Sequence, residues 1–125
     1  MQERIVIPTR GRIGNQLTYD CLGIDVINHY EVTLVCPQEE LLEHERKGYR
    51  AVVSPIEGIT NKREWIMGWA KQIGIKRIIM LDDDLNKWAI RKSSASYHLR
   101  DMTTEEISAT LREIFRILRE ENYPL

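Results

Sequence analysis

Short β-branched runs alternate along the chain with stretches whose apolar residues recur at helical spacing. Arg4-Ile5-Val6-Ile7-Pro8 is a compact apolar run closed by proline, which predicts a buried strand feeding the loop Thr9-Arg10-Gly11-Arg12. A short helix follows in the pattern from about Asn15 to Leu22, with Leu17, Cys21 and Leu22 as its apolar face. Glu31 to Cys36 is a second β-branched run and ends at Pro37; Gln38 to Lys47 then reads as a polar helix stopped by Gly48. Tyr49 to Val53 predicts a third strand, and Ser54 to Ile59 a turn. From Asn61 to Ile73 the residues Trp65, Ile66, Trp69, Ala70 and Ile73 keep helical spacing, Asn61 and Glu64 suggest a capping pair, and Gly74 ends the helix.

Lys76 to Leu81 is the most apolar run and is expected at the sheet centre, delivering Asp82-Asp83-Asp84 at its carboxyl end. Leu85 to Arg91 reads as a shorter strand and Lys92 to Arg100 as a serine-rich loop. The last helix, Thr104 to about Asn122, has Thr103 and Glu106 as a capping box and Ile107, Leu111, Ile114, Phe115 and Leu118 as its apolar stripe. Strands alternating with helices predict an α/β fold: a mostly parallel sheet with helices on both faces, a three-layer Rossmann-like sandwich. Ligands of such sheets bind at the carboxyl ends of strands, so the loops after Ile7, Cys36, Val53 and Leu81 should share one rim.

At 125 residues the chain has the length of one domain, and it is read as a single unit over 1–125. Its 18 basic and 19 acidic residues nearly cancel, leaving a net charge of -1 and no global field that would draw the chain onto nucleic acid or an anionic membrane. No apolar run approaches the roughly 18 residues of a membrane span, and the charged start Met1-Gln2-Glu3-Arg4 is unlike a signal peptide, so a cytoplasmic protein is expected. Cys21 and Cys36 show no zinc-ligand spacing and are read as reduced, buried thiols.

The acidic triplet carries the chemistry. Three consecutive carboxylates repel one another, a cost a fold tolerates when a divalent cation neutralises them. In an extended chain Asp82 and Asp84 face one side and Asp83 the other, so Asp82 and Asp84 are expected to face a Mg2+ or Mn2+ ion. The plain alternative is a solvated acidic turn. Against it, the other rim positions are basic: Arg10 and Arg12 after the first strand, then Lys62 and Arg63 in the first turn of the tryptophan-bearing helix. Cations are disfavoured at a helix N-terminus, so these two point to phosphate binding. Each basic residue alone reads as a solvated charge; together they would hold a diphosphate opposite a carboxylate-bound metal.

The segments Ile5-Val6-Ile7-Pro8-Thr9-Arg10-Gly11-Arg12, Gly58-Ile59-Thr60-Asn61-Lys62-Arg63 and Ile78-Ile79-Met80-Leu81-Asp82-Asp83-Asp84-Leu85 resemble, in order and spacing, the donor-binding half of glycosyltransferases with the GT-A fold. The likeness spans roughly residues 3–90 and is strongest to phage glycosyltransferases associated with TET-type oxygenases. That resemblance implies transfer of a sugar from a nucleotide diphosphate donor to a hydroxyl, with hydroxymethylpyrimidine in phage DNA as acceptor. It further implies that Thr9, Arg10 and Arg12 lie near the nucleotide, Gly58, Lys62 and Arg63 near the diphosphate or sugar, Asp82 and Asp83 against the donor, and Asp84 as the direct metal ligand.

Enzymes of this kind usually continue into a C-terminal part that binds acceptor and supplies another metal ligand; here only about 40 residues follow the acidic turn, so that part is expected to be missing or reduced. A shortened fold would expose apolar surface able to pair with a second copy. His98 is the one histidine after the turn, and beside it Tyr97 is a candidate for stacking; both read equally as surface residues, and His29 and His44 carry less weight still. Trp65 and Trp69 follow the core stripe and are read as packing residues. Two other function classes stay open: a nucleotide-sugar-binding module without turnover, and a Toprim-like phosphoryl-transfer domain. The second lacks the glutamate expected at the end of an early strand.

Overall fold

The computed structural model describes residues 2–85, 88–91 and 99–121. Four strands, β1 (Glu3–Pro8), β2 (Thr33–Cys36), β3 (Ala51–Val53) and β4 (Arg77–Met80), form an all-parallel sheet in the order β3-β2-β1-β4. Alternation along these short strands divides the core. Ile5, Ile7 and Leu34 point to one face, where Tyr19, Leu22, Val26, Ile107, Leu111 and Phe115 cover them. Val6 and Val35 point to the other, where Ile66 seals them with Trp65 and Trp69 packed alongside. The helices responsible are α1 (Leu17–Asp20), α2 (Ile24–His29) and α5 (Thr104–Glu120) on the first face, and α4 (Ile59–Gln72) on the second. The result is the expected three-layer Rossmann-like α/β arrangement.

Several boundaries differ from the sequence reading for physical reasons. β4 lies at the edge of the described sheet, and its residues are only partly buried. The central strand is β1, whose Ile5, Val6 and Ile7 are fully buried, while its charged residues are held by ion pairs: Glu3 with Arg77 at 2.9 Å and Arg119 at 2.6 Å, Arg4 with Glu31 at 2.5 Å. Apolar content alone therefore misplaced the centre. The single helix expected over Asn15–Leu22 shrinks to four residues, and α2 was not foreseen. Between them stands Gly23, where an added Cβ would meet Asp25 Oδ1 at 2.7 Å and Thr104 Cγ2 at 3.1 Å, so the chain breaks where it passes close to α5.

The polar helix after β2 opens as a 3-10 turn, Gln38–Glu40, before α3 (Leu41–Arg46). Asn61 does not cap α4. That helix starts two residues earlier, from Gly58 at φ +86°, with no side-chain cap, which leaves Asn61 inside the first turn. Beyond β4, β5 (Ala89–Arg91) pairs antiparallel with β6 (Leu99–Asp101), so the expected strand is shorter and the expected loop ends in strand; His98 and Tyr97 lie outside the described residues. The capping box of Thr103 and Glu106 is present in α5. Ile114, assigned to its buried stripe, is 39 % exposed, whereas Phe115 is fully buried and stacks on Tyr30 with ring centroids 4.5 Å apart. Both cysteines are free; Cys36 is buried, but Cys21 is only partly so. No helix among the described residues is long and apolar enough to cross a membrane.

Candidate functional site

The sheet order places β2 and β3 on one side of β1 and β4 on the other, so the chain reverses its direction of winding between β1 and β4. In parallel sheets such a reversal opens a crevice at the strands' carboxyl ends. Here that position is a cleft of ≈ 660 Å³ lined by all four expected loops: Pro8 to Arg10, Pro37 to Glu39, Val53 to Ile59 with Lys62, and Asp82 to Asp84.

One floor of the cleft is a chain of hydrogen bonds between the ends of β1 and β4. The Thr9 hydroxyl donates to Asp83 Oδ2 at 2.8 Å and accepts from Gln16 Nε2 at 2.9 Å. Arg12 Nε stands 3.3 Å from Asp83 Oδ1. The Thr18 hydroxyl donates to the Asp82 carbonyl and accepts from the Leu85 N–H at 2.9 Å, pinning the turn from below. Asp82 itself is exposed and pairs with Arg63 at 2.9 Å. Asp84, also exposed, makes neither a hydrogen bond nor an ion pair with any other described residue.

This geometry corrects the alternation argument. β4 ends at Met80 and Asp83-Asp84 lie in a turn, so extended-chain alternation does not apply; all three carboxylates line the same cleft and Asp83 is the least exposed of them. Of the four basic residues, Arg10 and Lys62 line the cleft, while Arg12 and Arg63 stand beside it, each against an aspartate. Lys62 is the unusual one. It is 7 % exposed; among the described residues its Nζ meets only the Thr9 carbonyl, at 3.4 Å, and no carboxylate within ion-pair distance. Near it, the N–H groups of Ile59, Thr60 and Asn61 precede the first intrahelical bond, which Lys62 N makes to Gly58 O at 2.9 Å.

Gln16, Thr18 and Glu40 were not singled out from the sequence. Gln16 and Thr18 are fully buried polar residues on what reads as an ordinary helix, and that mismatch is the one signal that would have found them. Pro37, Val53, Pro55 and Ile56 add apolar surface to the lining, interspersed with Gln38, Glu39, Ser54 and Glu57. Cys36 ends β2 next to Pro37, and burial pushes its thiol up to about 11, which favours the protonated form.

A parallel sheet with helices on both faces and a polar cleft at the strand reversal defines a Rossmann-like α/β protein. The chain matches the TET-associated glycosyltransferase family over residues 3–121 and belongs to that family. Membership implies glycosyltransferase activity. Neither a curated protein nor a solved structure matches the chain.

Proposed function

We propose that the cleft binds the nucleotide diphosphate of a sugar donor, in the manner of a GT-A glycosyltransferase, and that the sugar passes to a hydroxyl acceptor with the help of a divalent cation. The observation that carries this reading is Lys62. A buried ammonium without a carboxylate is costly, and an anionic ligand entering the cleft removes that cost. Arg10 at the rim and the three N–H groups at the start of α4 offer further donors to the same phosphate oxygens. The apolar surface of Pro37, Val53, Pro55 and Ile56, with polar neighbours Gln38 and Ser54, suits a nucleobase.

The acidic turn fits Mg2+ or Mn2+. Asp83 is engaged by Thr9 and Arg12, which leaves Asp84 and, once Arg63 is drawn to phosphate, Asp82 as hard oxygen ligands. Among the described residues no group of three His, Cys, Asp or Glu side chains is placed to hold a metal ion, so diphosphate and water would have to complete the shell of an ion on these two carboxylates. When bound, such an ion stabilises negative charge gathering on the leaving diphosphate. Thr9, Gln16 and Thr18 hold the turn in place through the Asp83 carboxylate and the Asp82 carbonyl. For the acceptor, we favour the hydroxymethyl group of a modified pyrimidine in DNA, a reading prompted by the family's description as TET-associated.

The test is a thermal-shift series with nucleoside diphosphates and nucleotide sugars, with and without manganese, on the wild type and Asp84→Ala. At a hundredfold excess over the dissociation constant, binding adds about 2.7 kcal/mol of stability. That gain should need the metal and vanish in Asp84→Ala. Stabilisation indifferent to both the metal and the substitution refutes the site as drawn.

A further inference from the structure

The loop leaving β1 carries Arg10 and Arg12, yet what grips it belongs to another element. Gly11, between them, sits at φ +75°, and nothing lies within 4 Å of where its Cβ would be. Glycine is therefore required there by the backbone turn and not by crowding. That turn aims the Gly11 N–H at Glu40, whose Oε1 and Oε2 accept it at 3.1 and 2.9 Å. Glu40 is 7 % exposed, at the end of the 3-10 turn before α3. Behind it His44, with no exposed surface, places Nε2 3.4 Å from Glu40 Oε1. His44 Nδ1 is buried without a partner among the described residues, so Nε2, facing Glu40, is the ring nitrogen that engages it.

Resting on the donor-binding reading, we propose that Glu40, oriented by His44, is a positioning residue for the transfer reaction. It fixes the Arg10-Gly11-Arg12 loop in the form that holds Arg10 at the cleft, towards the donor's phosphates, and Arg12 on Asp83. A buried carboxylate with no lysine or arginine within ion-pair distance among the described residues is an expensive way to satisfy one backbone N–H. A neutral amide would serve a merely structural need. The charged acceptor, taking the Gly11 N–H with both oxygens, gives a stronger grip on the turn between the two arginines.

The experiment is calorimetric titration of UDP, CDP, ADP and GDP with manganese into wild type, Glu40→Gln and Glu40→Ala, repeated in an Arg10→Gln/Arg12→Gln background. For the nucleotide that wild type prefers, Glu40→Ala should weaken binding about tenfold, the order of one displaced charge-assisted contact. Glu40→Gln, which keeps an acceptor but no charge, should lose less. In the background lacking both arginines, neither change at residue 40 should cost anything more. A folded Glu40→Ala that binds like wild type, or one whose loss is undiminished without the arginines, overturns the proposal. Should the alanine variant fail to fold, Glu40→Gln is read by the same criteria, and rapid hydrogen exchange at the Gly11 amide of wild type would also overturn it. Failure of wild type to bind any of the four removes the donor reading itself, and this inference with it.

Discussion

Replacing Lys62 by methionine should move stability and binding in opposite directions. Methionine keeps an unbranched apolar stem of similar length and discards the ammonium. In the free protein the substitution loses one hydrogen bond to the Thr9 carbonyl, stretched to 3.4 Å and so worth less than a well-formed charge-assisted bond, which contributes about 1.5–3 kcal/mol. It also removes a charge that is 7 % exposed and has no carboxylate partner among the described residues, a burial that costs several kcal/mol before solvent at the cleft mouth relieves part of it. The balance favours methionine by about 1 kcal/mol, a rise of roughly 3–5 °C in Tm for a chain of this size. Binding behaves otherwise. A hydrogen bond to a charged group contributes about 1.5–3 kcal/mol, so affinity for a nucleoside diphosphate should fall by about one to two orders of magnitude. Denaturant unfolding of the free protein and calorimetric titration with the diphosphate give the two numbers. Unchanged affinity together with lower stability would show that Lys62 merely tethers the Thr9 loop, and the reasoning would fail.

Two further outcomes concern the scaffold. Phe115→Ala, which empties the space between Tyr30 and the sheet, should cost about 3–5 kcal/mol in urea unfolding; a loss under 1 kcal/mol would mean that α5 is not docked as described. Glu106 is held down from 4.5 to about 2, chiefly by its hydrogen bond with Arg100 and then by the Thr103 N–H. Because its folded value lies below the unfolded one, its stabilising contribution is complete above about 4.5 and disappears as pH falls towards about 2. A carboxyl titration followed by NMR should show that low midpoint in wild type, rising in Arg100→Gln; an ordinary midpoint in wild type would contradict the pairing.

What could be read in advance was whatever depends on local pattern. The alternation of Ile5, Val6 and Ile7 fixes which residues face which layer, and strand ends marked by Pro8, Pro37 and Asp82 bring the rim together as expected. Where the reading failed, a distant partner overruled a local cue. Lys76 to Leu81 looks central because it is apolar, yet centrality went to β1, whose Glu3 and Arg4 are neutralised by Arg77, Arg119 and Glu31. Asn61 looks like a cap only until Gly58 starts the helix earlier. Glu40 carries no mark in the sequence at all; its importance arises from Gly11, 29 positions away.

The bond from Thr9 to Asp83 joins residues 74 positions apart, and β4 aligns with β1 only after everything between has been traversed. Contacts of such separation bear a large chain-closure entropy, so they belong late in folding. A nascent chain holding just the first three strands would possess the arginine loop without the aspartates opposite it. On the donor-binding reading, competence for ligand is thereby confined to chains in which β4, the last strand of the four-stranded sheet, has docked.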